Sequence, residues 1–133
     1  IDVKSGKLKV AGYAWLTDKV MSAFPNLSYT ALTLRESHDA DHNGWSGVLR
    51  TRARFIRGPA YDIRHIVDRI GSGDAFAAGL IHGLLSLETD EEALGFALAA
   101  SCLKHSIPGD FNLVSEKEVR ALMEGDRSGR VQR

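Results

Sequence analysis

The sequence of 133 residues has the composition of an ordinary globular domain: 44% of its residues are apolar, and 17 basic side chains balance 17 acidic ones. This balance excludes the strongly charged surfaces that bind nucleic acids or anionic membranes, and the sequence predicts neither a membrane span nor a signal peptide. We therefore expect small-molecule ligands and a cytoplasmic protein. The lone Cys102 cannot form an internal disulfide and, within an apolar helix, is predicted to be a buried, unreactive thiol.

The first half of the chain predicts one helix followed by extended segments. Apolar residues at helical spacing predict an amphipathic helix over residues 13–24, which Pro25 ends. The β-branched and apolar run 29–34 is predicted to be a buried parallel strand, and the polar stretch 36–43 a loop. Further extended segments are predicted, the first two as a hairpin: 47–50, 55–57 and 61–67. A helix followed by a buried strand is half of a βαβ unit, which favours the α/β class.

The second half predicts three helices. The first covers residues 74–87, and the second begins at the capping box of residues 89–92 and continues to about residue 105. A second capping box, residues 115–118, begins the third helix, which Gly125 ends. The polar tail 126–133 is predicted to fray.

The stretch Asp68-Arg69-Ile70-Gly71-Ser72-Gly73-Asp74, which enters a helix of small residues, carries the strongest functional signal. Glycines at a helix start leave backbone N–H groups without partners, and these groups form an anion site with the positive end of the helix dipole. A carboxylate at Asp74 would repel a bound phosphate but suits a base that takes the proton of an attacking hydroxyl. The pattern indicates phosphoryl transfer; the alternative for Asp74 is an ordinary helix N-cap.

Residues 68–81 resemble the C-terminal signature of the ribokinase-like (PfkB) carbohydrate kinases, whose core reads Asp-Thr-x-Gly-Ala-Gly-Asp; Arg69 stands where that family has Thr. Three further stretches resemble the 2-dehydro-3-deoxygluconate kinases of that family: 33–37, 41–46 and 104–112. The resemblance implies a ribokinase-like three-layer α/β/α sandwich. It also implies that residues 1–133 are the C-terminal part of a kinase domain, without its N-terminal sugar-binding and lid region.

By resemblance, the parent enzyme would transfer the γ-phosphate of ATP to the 6-hydroxyl of 2-dehydro-3-deoxy-D-gluconate, with Mg²⁺ neutralising the phosphates. The full-length enzyme would be a homo-oligomer that binds a sugar acid and ATP. A monovalent cation is expected near Asp68, although a structural turn explains this residue equally well. Alternatives are another sugar kinase of the family, a catalytically incomplete nucleotide- or anion-binding fragment, and a purely structural remnant.

The resemblance also assigns roles to individual residues. Asp74 would be the catalytic base, and it would complete an anion hole together with Gly71, Ser72 and Gly73. The nucleotide pocket would be lined by three residues at the predicted strand end: Thr33, Leu34 and Arg35. Asp74 would also meet the sugar acid, as would Asp110, which lies in a Pro-Gly-Asp turn.

No metal ligands are predicted in this chain. Residues 39–44 match the first six positions of a calcium loop, but Arg50 occupies the twelfth position, where the loop needs a Glu. His38 and His42 are only a weak pair for a transition metal. The other histidines are interpreted as packing or surface residues: His65, His82 and His105.

Overall fold

The computed structural model describes residues 10–39 and 41–125, which form four α-helices and one four-stranded sheet. In chain order the elements are α1 (Val10–Ala23), β1 (Tyr29–Asp39), β2 (His42–Thr51), β3 (Phe55–Arg57), β4 (Tyr61–Arg64), α2 (Ser72–Ser86), α3 (Asp90–Lys104) and α4 (Glu116–Glu124). The predicted helices and the predicted hairpin of β2 and β3 are confirmed. The predicted tail 126–133 lies outside the described residues.

The sheet is antiparallel, with β2 at its centre. β2 pairs with β1 over its whole length, in a register that places Arg35 opposite Trp45; its other edge pairs with β4 and β3. The prediction of a buried parallel strand over 29–34 is therefore wrong. The loop predicted over 36–43 is also wrong, because β1 continues to Asp39 and β2 begins at His42. β1 is an edge strand of the described sheet, so its polar outer end can remain in solvent while its backbone pairs with β2.

Helices cover both faces of this sheet. Side chains alternate between the two faces along a strand, and each face contacts different helices. On one face the Thr30 hydroxyl donates to Sδ of Met21 in α1 (3.1 Å). On the other face the Trp45 indole donates to Oγ of Ser101 in α3 (2.7 Å). The described residues therefore form three layers, with α1 on one side of the sheet and the α2–α3 pair on the other, as the α/β/α prediction requires.

The α2–α3 pair packs closely because glycines of α2 face small residues of α3. A Cβ at Gly79 would lie 2.9 Å from Cα of Ala97, and a Cβ at Gly83 would lie 2.6 Å from Cα of Ala93. This contact fixes the direction of α2 and hence the position of its first turn. Cys102 is buried in α3, as predicted, and burial raises the pKa of its thiol to about 12.

The helix starts follow the predicted capping residues. At α4, Ser115 and Glu118 form the complete capping box. At α3, the Thr89 side chain accepts from the Glu92 N–H (3.1 Å), but the Glu92 carboxylate accepts from the N–H of Glu88 rather than from that of Thr89. Within the described part of the chain, no helix combines the length and the apolarity needed to cross a membrane.

Candidate active site

The first turn of α2 carries the candidate anion hole. The helix begins two residues earlier than predicted, at Ser72, and its N-cap is Gly71, in the left-handed conformation with φ 81°. The N-cap interpretation of Asp74 is therefore wrong: Asp74 lies inside the first turn, and its side chain is exposed. Among the described residues, neither the N–H groups of Gly73 and Asp74 nor the Asp74 carboxylate has a hydrogen-bond partner. These donors are available to an anion, and the carboxylate is available to a proton.

The loop before α2 is held against the turn that contains Asp110. The Asp68 carboxylate accepts from the N–H of Ile70 and from the N–H of Gly109, each at 2.9 Å. These two hydrogen bonds, that of Ile70 first, lower the pKa of Asp68. At Gly71, a Cβ would lie 2.3 Å from the carbonyl oxygen of Asp110. The structure thus brings together the two stretches that carry Asp74 and Asp110, and the Asp68 contacts favour a structural role for that residue.

Arg69, which stands where the resembling family has Thr, connects the same loop to the sheet. Its guanidinium donates to the carbonyl oxygen of Asp39 at the end of β1 (3.1 Å) and to Oδ1 of Asn43 in β2 (3.0 Å). Asn43 is fully buried, so this contact anchors the loop to the interior of the sheet. Arg69, in the place of the family's Thr, therefore adds two hydrogen bonds that hold the loop before α2 to the sheet.

A polar network beneath the first turn of α2 contains Arg35. One nitrogen of its guanidinium, Nη2, donates to Oγ of Ser72 (3.1 Å) and lies 3.2 Å from Nε2 of His105. The guanidinium carbon also lies 4.8 Å from the centre of the Trp45 ring. Because Nδ1 of His105 lies 2.7 Å from the carbonyl oxygen of Ser101, Nδ1 carries the proton and Nε2 accepts from Arg35. Burial, and secondarily the nearby cations, lower the pKa of His105 to about 4.

The residues predicted to line a nucleotide pocket lie on two faces of the sheet. Thr33 and Arg35 share the face that contacts α2 and α3, whereas Leu34 faces the α1 side, where it lines a recess with Tyr13. These residues are inside β1 rather than at its end, since the strand continues to Asp39. Only Arg35 is brought into contact with the candidate anion hole, through Ser72.

An apolar cleft of about 280 Å³ runs along α2 and was not predicted from the sequence. Its walls come from one face of α2, from α3 and from the segment before α4, and include Ala75, Ala78, Gly79, His82, Phe96, Asn112 and Val114. The Asn112 amide donates to the carbonyl oxygen of Ala100 (3.0 Å), while its buried Oδ1 has no partner among the described residues. The small residues of α2 at positions i, i+3 and i+4 are the sequence signal that could have indicated this cleft.

The described residues contain no group of three or more His, Cys, Asp or Glu side chains that could hold a metal ion. In the region of the calcium-loop pattern, the His42 ring pairs with the Asp62 carboxylate of β4.

Comparison with known proteins identifies the family. The model of the pfkB family carbohydrate kinases matches residues 48–116, which is more than half of the chain and includes the whole first turn of α2. The chain belongs to this family. The pfkB match and the three layers of the structure confirm the predicted ribokinase-like fold class.

Solved pfkB structures superpose on most of this chain. The 2-dehydro-3-deoxygluconokinase of Thermotoga maritima is 40% identical, with a TM-score of 0.83 over 88% of this chain and 35% of that protein. A PfkB family carbohydrate kinase of Listeria grayi is 34% identical, with a TM-score of 0.77 over 94% of this chain and 37% of that protein. The 2-dehydro-3-deoxygalactonokinase of Haloferax volcanii is 36% identical over 63 residues, which are 47% of this chain and 20% of that relative. The chain thus spans about a third of the length of the two solved kinases and a fifth of the length of the Haloferax volcanii relative.

Proposed function

We propose that this chain is part of an ATP-dependent sugar-acid kinase that phosphorylates the 6-hydroxyl of 2-dehydro-3-deoxy-D-gluconate. The observation that carries the proposal is the first turn of α2, where the N–H groups of Gly73 and Asp74 and the Asp74 carboxylate have no hydrogen-bond partner within residues 10–39 and 41–125. The 40% identity to the kinase of Thermotoga maritima that is named for this substrate supports the choice of sugar acid.

In the proposed reaction, Asp74 acts as the base. The substrate oxygen forms a bond to the γ-phosphorus, the bond from that phosphorus to the bridging oxygen of ADP breaks, and the hydroxyl proton passes to Asp74. The N–H groups of Gly73 and Asp74 would stabilise the charge on the transferring group, a contribution of about 3 kcal/mol for each well-aimed donor. Mg²⁺ bound to the nucleotide phosphates would neutralise part of their charge. We also propose that Asp110, next to Gly71, contacts hydroxyls of the sugar acid.

The cleft along α2 suits the base of the nucleotide. It begins at Ala75, next to Asp74, and continues to His82, a distance of about 10 Å along the helix axis. A nucleotide with its phosphates at the first turn would therefore lay its ring over Ala78, whose small exposed side chain leaves space for a flat group. The unpaired Oδ1 of Asn112 would accept a hydrogen bond from an exocyclic amine such as that of adenine.

The decisive experiment measures phosphorylation of 2-dehydro-3-deoxygluconate by ATP in the full-length protein and in its Asp74→Asn variant. We expect kcat to fall about 10³-fold or more, because the variant cannot accept the proton. Asp90→Asn is the matched control: Asp90 is also a first-turn carboxylate, in α3, and its contacts are with Tyr29 and Arg54 rather than with the candidate site. An Asp74→Asn variant as active as the Asp90→Asn control would contradict the role of base.

Assays on the same full-length protein distinguish the alternative functions. A protein that binds ATP in calorimetry but forms no sugar phosphate would be the catalytically incomplete nucleotide-binding fragment. One that does not bind ATP would be a structural remnant. Faster turnover of 2-dehydro-3-deoxygalactonate, named in the Haloferax volcanii relative, would favour another kinase of the family.

A further inference from the structure

Lys104, the last residue of α3, is a fully buried lysine. Its Nζ donates to the carbonyl oxygen of Ile107 (2.7 Å), and its own carbonyl oxygen accepts from the N–H of the same residue (3.0 Å). Within residues 10–39 and 41–125 it forms no ion pair. An ammonium group is costly to bury, so its charge has to interact favourably with the groups around it.

Two sources of negative potential act on this ammonium group. The first is the C-terminal end of α3, where the last carbonyl groups of the helix favour a cation. The second is the carboxylate of Asp68: hydrogen bonds from the N–H groups of Ile70 and Gly109 lower its pKa, and the charge of Lys104 lowers it further. The backbone N–H of Asp68 also donates to the carbonyl oxygen of His105, the residue after Lys104 (3.2 Å). The charge therefore lies where the loop before α2 meets the turn after α3.

The oxygen atoms around Asp68 do not fit the monovalent cation that the resemblance leads us to expect there. An ion such as K⁺ needs several oxygen ligands, often backbone carbonyl groups, to replace its bound water. Both carboxylate oxygens of Asp68 already accept backbone N–H groups, and the carbonyl oxygen of Ile107 already accepts from Lys104. A second positive charge at this place would also be repelled by the ammonium group. The donor set suits the ammonium group of Lys104 and leaves little for a metal ion.

We propose that the ammonium group of Lys104 takes the place of a monovalent cation near Asp68, so that the protein needs no K⁺ for activity. Lys104 is then a positioning residue. It acts through Ile107 and Asp68 on the turn after α3, whose Asp110 backbone lies against Gly71, the N-cap of α2. The effect on activity rests on the proposed kinase function, whereas the exchange of an ammonium group for an ion can be tested on folding alone.

The first test measures turnover of the full-length protein in KCl and in tetramethylammonium chloride at equal ionic strength, because tetramethylammonium is too large for a K⁺ site. We expect the wild-type protein to have the same kcat/KM in both salts. In tetramethylammonium chloride, Lys104→Ala should lower kcat/KM about 10- to 100-fold, the loss typical of a charged hydrogen bond. KCl or NH₄Cl should restore most of this loss, because the short side chain leaves space for an ion. Lys104→Met is the matched control: it loses the same charge but fills the space, so neither salt should restore its activity.

Urea unfolding of the same three proteins gives a readout that does not depend on turnover. An ion that binds only the folded protein stabilises it. KCl should therefore raise the urea midpoint of Lys104→Ala above its value in tetramethylammonium chloride, whereas the wild-type protein and Lys104→Met should unfold at the same midpoint in both salts. A wild-type protein without turnover would contradict the proposed kinase function, and the unfolding measurement would still decide the role of Lys104.

Three outcomes would overturn the proposal. Activation or stabilisation of the wild-type protein by K⁺ would mean that an ion binds in addition to the ammonium group. A loss in Lys104→Ala that neither K⁺ nor NH₄⁺ restores, in turnover or in unfolding, would mean that Lys104 contributes to packing and not in the manner of an ion. An alanine variant as active and as stable as the wild-type protein in tetramethylammonium chloride would mean that no cation is needed at this place.

If Lys104→Ala does not fold in either salt, a double-mutant cycle of Lys104→Gln and Asp68→Asn replaces it. The glutamine keeps an N–H donor for Ile107 but carries no charge. Asp68→Asn should lower the urea midpoint of the wild-type protein more than that of Lys104→Gln, because only the wild-type protein loses an attraction between opposite charges. Equal decreases in the two backgrounds would show that the two charges do not interact, and would overturn the proposal.

Discussion

Gly71 lies directly beneath the backbone of Asp110: a Cβ at Gly71 would stand 2.3 Å from the carbonyl oxygen and 3.0 Å from Cα of Asp110. The N-cap of α2 and the turn after α3 therefore form one continuous surface, although they are far apart in the sequence. Asp68 joins the same two segments through the N–H of Gly109. The geometry of the candidate active site thus depends on a contact between two backbones, which leaves no space for a side chain.

Gly71→Ala is expected to destabilise the protein by about 2–4 kcal/mol. Alanine would have to adopt a positive φ, at a cost of about 1 kcal/mol, and its methyl group would displace the backbone of Asp110. Urea unfolding measures the change in the free energy of unfolding. Gly109→Ala is the matched control, because Gly109 has φ 83° but no atom within 4 Å of an added Cβ, and should lose only the conformational part. Equal losses in the two variants would mean that the contact with Asp110 is unimportant.

Gly73→Ala is expected to leave stability unchanged or to raise it by up to about 1 kcal/mol, because alanine favours a helix and the position is open. The Kd of ATP should nevertheless rise about tenfold or more, since the new methyl group would stand on the exposed side of the turn that the phosphates approach. Calorimetry with ATP, with urea unfolding alongside it, checks both parts. A stable variant with the wild-type Kd would show that phosphate does not approach the N–H of Gly73.

The buried His105 predicts a loss of stability in mild acid. Its pKa is about 4 in the folded protein against about 6.5 in the unfolded chain, so between these values only the unfolded chain binds the proton. The free energy of unfolding should therefore be constant above pH 6.5 and fall as the pH decreases toward 4. At pH 5 the contribution amounts to about 2 kcal/mol.

Urea unfolding of wild type and of His105→Gln at pH 7 and pH 5 isolates this contribution, because all other titrating groups are common to both proteins. The wild-type protein should lose about 2 kcal/mol more than the variant between the two pH values. The same pH dependence in both proteins would show that His105 does not titrate in this range.

Features that depend on neighbouring residues were predictable. The capping box of Ser115 and Glu118 satisfies N–H groups within one turn, so four residues of sequence were sufficient to locate the start of α4. The glycines before a run of small residues likewise indicated the start of α2, and the structure moved this start by two residues, with Gly71 at the N-cap. The anion site at this helix start stays a prediction.

Strand pairing was not predictable in the same way. The run 29–34 has the composition of a buried parallel strand, yet β1 pairs antiparallel with β2 at the edge of the described sheet and extends through polar residues to Asp39. A strand obtains its hydrogen bonds from another segment, so its own residues specify neither its direction nor its full length. Leu34 and Arg35 face opposite sides of any strand that contains both, but only the packing of the helices decided that Arg35 faces α2.

The sequence by itself determined the family, the helix that carries the candidate anion hole and the identity of the candidate base, because these are properties of one contiguous segment. Only the tertiary structure decided that Arg35 reaches Ser72, that His105 and Trp45 fix its guanidinium, and that the turn at Asp110 lies on Gly71. The physical reason is that these contacts join β1, β2, α3 and the loop before α2, and their geometry exists only after the sheet has paired and the helices have packed on it.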